Sequence, residues 1–229
     1  MSDGCAVASE TMKRARHNVQ QIIERLESMG YEFMAPRDVG LRVLGPYGQW
    51  VTSTDEFLVW TPPQPADMEV VGEIEEACGR IPLALLAWYE VVGQVSLMGS
   101  HPALASCRKR PTLYGDPLEV LSPRGWFRVF RDWMESDRRV PFSLPVCGDL
   151  KSKAGESGST YDVSLENWSA DPLLLNSFAD PVLVGKTYNM TLMEYLRRSF
   201  KWGGFPGWEG SDNLPSREIA HLSEGLLEI

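Results

Sequence analysis

The order of its predicted elements places this chain in the α+β class, with a central, mainly antiparallel sheet packed against helices. Helical periodicity is found towards both ends of the chain, and short strand patterns lie together in the middle. The regular alternation of strand and helix that is typical of a parallel α/β fold is missing. At 229 residues, 43% of them hydrophobic, the chain is long and apolar enough to bury a sizeable core.

The first predicted helix covers residues 11–29. Its apolar residues recur at steps of three and four and form one stripe, whereas charged and amide side chains occupy the rest of the surface. Gly30 follows as a residue suited to the left-handed conformation at a helix C terminus. The polar face carries both charge signs, so packing onto the body of the protein is favoured over binding to a membrane surface.

Three short strand patterns follow, at 41–44, 49–52 and 56–60. Turn-forming residues at 45–48 separate the first two strands. The proline-rich run 61–65 predicts an extended connector, because proline restricts its own backbone and that of the preceding residue. We therefore divide the chain into an N-terminal extension, 1–65, and a main domain, 66–229.

Two helices joined near Pro82 open the main domain. The first, at 67–78, is amphipathic, with valine and isoleucine facing inward. Its outer stripe carries three glutamates: Glu69, Glu73 and Glu76. The second, at 83–92, is apolar nearly all round, which predicts the most buried helix of the domain.

The middle of the chain predicts four strands and a helix. Strand patterns at 95–98 and 118–121 precede Ser122-Pro123, an N-cap and first-turn proline that begin a helix ending near residue 136. An aromatic stripe on this helix is expected to join the core. Strands at 142–147 and 160–165 are predicted to pair antiparallel across a long polar hairpin loop, 148–159.

The last part of the chain predicts short strands at 173–178 and 182–184 and then a helix. Thr191 and Glu194 form a capping box that begins this helix. Gly203-Gly204 ends it, and we expect the tail from residue 205 to pack only partly. Three aromatic residues flank the glycines and are candidates for an exposed patch that contacts a partner: Trp202, Phe205 and Trp208. The alternative is that they cover the edge of the core.

Composition disfavours several classes of function. The 22 basic and 31 acidic residues give a net charge of −9, which disfavours general nucleic-acid binding and allows a basic partner. No stretch approaches the roughly 20 apolar residues of a membrane helix, and the first ten residues lack the pattern of a secretory signal. The four dispersed cysteines are interpreted as reduced thiols. We therefore expect a cytoplasmic protein without nucleic-acid or membrane partners.

Sequence motifs predict no catalytic, cofactor-binding or metal site. The phosphate-loop, dinucleotide, zinc-protease, kinase and serine-hydrolase patterns are all missing, and no cysteine–histidine group has zinc-finger spacing. His101 with Cys107 could be pictured as base and nucleophile, but no orienting group accompanies them. The helix glutamates are better explained as a solvated helix face than as a metal site, since no His or Asp joins them. A loose acidic series at Asp162, Glu166 and Asp171 lacks a partner for catalysis.

Charge is segregated along the chain. Between residues 66 and 100, six acidic residues accompany one arginine, and after residue 204 five accompany one arginine. Residues 108–139 are instead basic, with eight arginines and lysines against five acidic residues. An acidic face of this type speeds association with a basic partner. Glu69, Glu73 and Glu76 are therefore candidate partner contacts, and the alternative is that the acids serve only solubility.

Several segments of the main domain resemble the SUKH superfamily (Smi/Knr-like proteins). The resemblance covers about 66–204: an acidic helix, the Ile81-Pro82 step and a buried helix within 73–89, the exit at 92–95, a strand ending in Gly-Asp at 146–149, and the closing helix from 191. Departures are Gln94, where a second glycine is usual, the insert with the 123–136 helix, and the extension 1–65.

The resemblance implies an α+β fold without a catalytic site. Members of the superfamily include bacterial immunity proteins that bind and neutralise secreted toxins, often nucleases, and scaffold-like regulators such as those of fungal cell-wall control. The expectation is therefore a non-catalytic protein-binding module, an immunity protein whose partner is a basic toxin domain. The alternatives are a regulatory or scaffold protein of the same fold and, less favoured, an unrecognised hydrolase.

Overall fold

The computed structural model describes residues 2–33, 42–44, 50–52, 59–104, 115–136, 141–153, 158–165, 179–185, 189–212 and 214–229. Its helices are α1 (Ser2–Ser28), α2 (Pro65–Cys78), α3 (Leu83–Val91), α4 (Phe127–Glu135), α5 (Leu150–Lys153), α6 (Leu192–Lys201) and α7 (Ser216–Ser223). Its strands are β1 (Glu32–Phe33), β2 (Arg42–Leu44), β3 (Trp50–Thr52), β4 (Trp60–Thr61), β5 (Gln94–Ser96), β6 (Gly99–Ser100), β7 (Glu119–Val120), β8 (Phe142–Gly148), β9 (Thr160–Leu165), β10 (Val182–Val184) and β11 (Asn189–Thr191). The protein is therefore α+β.

All strand pairs of the described residues are antiparallel. One sheet has the order β4-β5-β7 and another the order β11-β10-β9-β8, and β1 with β6 and β2 with β3 form two-stranded ladders. A backbone hydrogen bond of 2.9 Å from Leu121 N–H to the Val146 oxygen connects the two larger sheets. The predicted pairing of 142–147 with 160–165 is confirmed, with Phe142 opposite Leu165. The predicted strand at 173–178 lies outside the described residues.

Helix α3 lies at the centre of the core, as its uniform hydrophobicity predicts. Trp88 is completely buried, and its indole N–H donates to the Gly93 oxygen at 2.7 Å. Gly93 ends the segment with φ of +88°, and a Cβ there would collide with the Thr61 oxygen and the Pro62 backbone. Only glycine therefore allows β4 and β5 to pair directly after this helix.

The N-terminal segment belongs to the same core as the rest of the chain. The apolar stripe of α1 is buried, with Ile22 and Leu26 fully inaccessible, and it packs on α3. The Tyr31 hydroxyl donates to the Leu97 oxygen at 2.8 Å, and β4 pairs with β5. The described part of the predicted extension, 1–65, therefore packs on the predicted main domain, 66–229.

Helix α1 begins much earlier than the periodicity predicts. It starts at Ser2 instead of residue 11, and it ends before Gly30, whose φ is +78° as expected for a helix terminus. Residues 3–7 are all exposed. Without a buried face these residues show no apolar periodicity, so the pattern that identifies the helix starts only where it meets the core.

The closing helix α6 begins with the predicted capping box. The Thr191 hydroxyl accepts from the Glu194 N–H at 3.2 Å, and the Glu194 carboxylate accepts from the Thr191 N–H at 2.8 Å. Each bond satisfies a backbone donor that the helix itself leaves without a partner.

We expect Thr191→Ala to lower the free energy of unfolding by about 0.5–2 kcal/mol, because it removes the acceptor for the Glu194 N–H. Urea denaturation with circular dichroism measures the change. Thr191→Ser retains the hydroxyl and is the matched control. A serine variant that loses as much stability as the alanine variant would contradict the role of the cap.

The tail from residue 205 packs partly on the core, as predicted. Pro206 is buried within a short 3-10 turn, Pro206–Trp208. The unpredicted helix α7 then buries Ile219 and Leu222 against the core, whereas most residues between and after these segments are exposed. Glycines and acids between the apolar residues hide the short helical repeat of α7 in the sequence.

Candidate functional site

The three glutamates proposed as partner contacts are exposed on one side of α2. Glu69, Glu73 and Glu76 occupy positions separated by four and three residues, which form one stripe of a helix. The reverse side of α2 buries Val70, Val71, Ile74 and Cys78. Within the described part of the chain, no ion pair neutralises the three glutamates. The acidic face, defined as Glu69, Glu73 and Glu76, is thus free to meet a partner.

The first turn of α2 is anchored to the short 3-10 turn Pro123–Trp126. The Asp67 side chain is only 5% exposed, and its carboxylate lies 3.9 Å from the Arg124 guanidinium. Burial raises the pKa of Asp67, and the positive charge of Arg124 opposes that rise. Ser122 caps the 3-10 turn by accepting from the Gly125 N–H at 3.3 Å, as its sequence predicts. Helix α2 therefore presents the acidic face from a fixed position.

The predicted exposed aromatic patch does not form. Phe205 and Trp208 are 3% and 1% exposed, and only Trp202 is half-buried. Gly203 and Gly204 have φ of +60° and +93°, and a Cβ on Gly204 would lie 2.6 Å from Leu97. These two glycines reverse the chain after α6 and return the following aromatic residues to the core.

Trp202 is the one member of this group that remains accessible to solvent. The Lys201 ammonium lies 5.7 Å from the centre of its ring, in position for a cation–π contact. Phe205 instead contacts the Tyr31 ring at a centroid distance of 6.0 Å. Phe205 and Trp208 therefore serve the alternative role, closing the edge of the core, and are not available to a partner.

A cluster of buried charged and hydroxyl groups lies in the interior, centred on Lys153. The Lys153 ammonium is 2.7 Å from the Asp116 carboxylate, with both side chains almost completely buried. It also donates to the Pro117 oxygen at 2.9 Å and to the Tyr195 hydroxyl at 3.4 Å. Asp116 has φ of +45°, a conformation that aspartate tolerates better than most residues. The turn at Asp116 places two oxygen acceptors around one ammonium.

Burial and pairing act in opposite directions on Lys153. Burial alone would lower the pKa of Lys153, but the Asp116 carboxylate, with smaller contributions from Tyr195, Cys147 and Glu119, raises this pKa well above its usual value. Burial also raises the pKa of Tyr195 and raises that of the Cys147 thiol to about 12. Lys153 is therefore charged at neutral pH, whereas Cys147 is a neutral thiol and a poor nucleophile.

Two further buried carboxylates support this cluster. Glu119 accepts from the Gly148 N–H at 2.8 Å and from the Ser96 hydroxyl at 3.3 Å, which links β5, β7 and β8. Asp149 accepts from the Ser152 N–H at 2.7 Å and from the Ser159 hydroxyl at 3.1 Å. The Gly-Asp end of β8 thus caps the short helix α5 and closes the base of the hairpin.

The predicted polar hairpin loop at 148–159 therefore needs a correction. Its first part forms α5, which directs Lys153 into the core instead of into solvent. A lysine in a run of polar and glycine residues shows no sign of burial in the sequence. The partner, Asp116, is 37 positions away and precedes a strand of only two residues. Only the fold brings them together, so sequence reasoning missed this cluster.

The weaker chemical candidates form no recognisable reactive site in the described residues. His101 Nδ1 accepts from the Ala103 N–H at 3.2 Å, a local turn contact. Burial raises the pKa of Asp162. Cys107, Glu166 and Asp171 lie outside the described residues, so the expectation that these groups form no catalytic site stays a prediction.

Metal-binding groups and membrane-spanning helices are both missing from the described residues. No three side chains of His, Cys, Asp or Glu are grouped there so that they could hold a metal ion. None of the helices in this part of the chain is both long enough and apolar enough to cross a membrane.

Comparison with known proteins gives no relative. No protein-family model matches the chain, and neither a curated protein nor a solved structure matches it significantly. The resemblance to the SUKH superfamily therefore depends on the residues of this chain alone and stays a prediction, as does any function that the resemblance implies.

Proposed function

We propose that this protein is a non-catalytic binding module, an immunity protein of the SUKH type that neutralises a basic toxin domain through the acidic face of α2. The observation that carries the proposal is the free exposure of Glu69, Glu73 and Glu76 on a helix whose reverse side is buried. The three carboxylates have a rigid spacing, because successive turns of a helix are about 5.4 Å apart. A partner with arginines or lysines at matching spacing would meet three charges at once.

Electrostatics favours a basic partner over other classes. The chain carries a net charge of −9, and the acidic face places three of the negative charges on one side of α2. Among the described residues, no ion pair neutralises these three glutamates. Complementary charge steers association and can raise the association rate by orders of magnitude at low salt. Many toxin domains that cleave nucleic acids need a basic surface to bind phosphates, which gives them the required complementarity.

The interior of the protein is consistent with binding instead of catalysis. Lys153, Tyr195 and Cys147 are buried, and the Lys153 ammonium donates to the Asp116 carboxylate at 2.7 Å and to the Tyr195 hydroxyl at 3.4 Å. A substrate cannot reach them without unfolding of the surrounding core. In this proposal the protein therefore acts through the shape and charge of its surface.

Charge reversal of the acidic face tests the proposal. We expect Glu69→Lys, Glu73→Lys and Glu76→Lys together to weaken binding of a basic nuclease toxin domain encoded next to this gene on the order of 100-fold, because three attractive contacts become repulsive. Isothermal titration calorimetry measures the affinity, and a nuclease assay measures neutralisation.

The matched control reverses three exposed glutamates elsewhere: Glu24, Glu27 and Glu32. It changes the net charge by the same amount, so we expect only the smaller, salt-dependent loss that comes from long-range attraction. Equal losses in the two triple variants would assign the effect to net charge and refute the acidic face. No binding of the wild-type protein to the neighbouring toxin domain would refute the immunity function itself.

A further inference from the structure

The last residues of the chain are held by side chains from two helices and are not part of a strand. Asn18 of α1 contacts Leu227 twice: its amide nitrogen donates to the Leu227 oxygen at 2.8 Å, and its amide oxygen accepts from the Leu227 N–H at 2.7 Å. Both backbone groups of Leu227 are thus bound by one side chain. The contact imitates one rung of a β ladder, with an asparagine in place of a neighbouring strand.

Asn18 is a fixed, buried element of the contact with the last residues. It is completely buried, although it lies on the otherwise apolar side of α1 between Ala15 and Val19. A buried amide is costly unless its hydrogen bonds are made, and here the backbone of Leu227 supplies them. The recognition depends on main-chain groups, so it does not require leucine at that position.

Two arginines extend the same main-chain recognition. Arg197 Nε of α6 donates to the Ile229 oxygen at 2.7 Å, and an Arg14 nitrogen of α1 lies 3.4 Å from the Glu228 oxygen. Leu227 is 44% exposed and Glu228 is exposed, whereas the side chains of Leu226 and Ile229 are half-buried against the core. Residues 226–229 are therefore bound through their backbone and two of their side chains, as an extended peptide is bound in a recognition groove.

The surface has room for more than the present segment. An open groove of about 410 Å³ lies beside residues 226–229 and is walled on its other sides by Arg197, Phe200, Lys201 and Ser223. Phe200 supplies an apolar floor, and Lys201 lines the groove without an ion pair in the described residues. A ligand with an aliphatic side chain next to a carboxylate would match this groove, because Phe200 can contact the aliphatic group and Lys201 can pair with the carboxylate.

We propose that the surface between α1 and α6 is a binding site for an extended aliphatic and acidic peptide, filled in this structure by residues 226–229 of the chain itself. The tail competes at the high effective concentration of a tethered ligand. A peptide segment of a partner that offers the same backbone pattern binds when the tail leaves. This site is distinct from the acidic face and does not depend on the proposed function.

A backbone substitution at Leu227 releases the tail without altering the site. Leu227→Pro removes the N–H that Asn18 accepts, whereas Leu227→Ala keeps it and is the matched control. The probe is a fluorescein-labelled peptide with the sequence of residues 224–229. Loss of one buried hydrogen bond corresponds to about tenfold in an equilibrium constant, so we expect the proline variant to bind the probe up to ~10-fold more tightly than wild type or the alanine variant.

A second substitution tests where the probe binds. Adding Asn18→Leu to Leu227→Pro removes the backbone recognition, and we expect binding of the probe to return to the wild-type level. Fluorescence polarisation measures the affinity, and circular dichroism verifies folding of each variant. Probe binding that is equal in the wild-type and proline variants, or that survives Asn18→Leu, overturns the proposal.

Hydrogen exchange of the wild-type chain provides a test that needs no variant. If the tail detaches locally, the Leu227 amide exchanges at least ~100-fold faster than the amides at the centre of α3, because its opening does not require global unfolding. Equal protection of the two would show that the tail is an inseparable part of the core, and the proposal would then fail even if the proline variant did not fold.

Discussion

Replacing Lys153 by methionine will lower the free energy of unfolding by about 3–5 kcal/mol, because the change leaves the buried Asp116 carboxylate without its counter-charge. Asp116 and Lys153 are 1% and 2% exposed, so solvent cannot replace the lost ammonium. Methionine has a similar length and fits the same space. Urea denaturation with fluorescence detection measures the loss.

Two further variants assign this loss to the ion pair. The double variant Lys153→Met with Asp116→Asn removes both charges, and we expect it to recover a large part of the stability, since no unpaired charge is left buried. Lys13→Met is the surface control, because Lys13 is 65% exposed, and its expected effect is below about 0.5 kcal/mol. A Lys153 variant as stable as the Lys13 variant would disprove the buried pair.

The pH dependence of this stabilisation follows from the direction of the pKa shift. Since the pKa of Lys153 is raised in the folded protein above its usual value of 10.5, its contribution is complete below that pH and is lost only as the pH rises through the folded value. The difference in stability between wild type and Lys153→Met is therefore expected to be constant around neutral pH.

The second large effect is expected for Trp208. Trp208→Ala will lower the free energy of unfolding by about 3–5 kcal/mol, the usual range for truncation of a buried tryptophan. Its indole is 1% exposed and packs closely on Gly115, where an added Cβ would lie 3.0 Å from the indole nitrogen. An exposed contact residue would instead change stability by less than about 0.5 kcal/mol.

Trp202→Ala is the matched control for Trp208, because it removes the same side chain from a half-buried position. We expect a smaller loss for Trp202, since that side chain is only partly buried against the core. Thermal and urea denaturation of both variants measure the difference. Equal, small losses would restore Trp208 as a surface residue and would contradict its place in the core.

The candidate acidic face could be predicted from the sequence, and the buried cluster could not. Glu69, Glu73 and Glu76 share a stripe because helical periodicity is local, and the valines and isoleucine between them indicate which side is buried. The position of Lys153 depends on Asp116, a residue far away in the chain. The polar residues around Lys153 in the sequence predicted that its side chain is exposed. In the structure the side chain is buried, because the distant Asp116 supplies a counter-charge.

The helices of apolar periodicity and the capping box at Thr191 could be predicted from the sequence alone, because each depends on neighbours within a few residues. The α+β class and the pairing of 142–147 with 160–165 could be predicted from the order of the elements along the chain, because consecutive strands joined by one connection tend to pair. Only the tertiary structure decided that α1 joins the central core, that Trp208 is buried and that Asn18 holds Leu227. These outcomes require contacts between distant segments, and such contacts form only where burial and hydrogen bonding offset the loss of chain entropy.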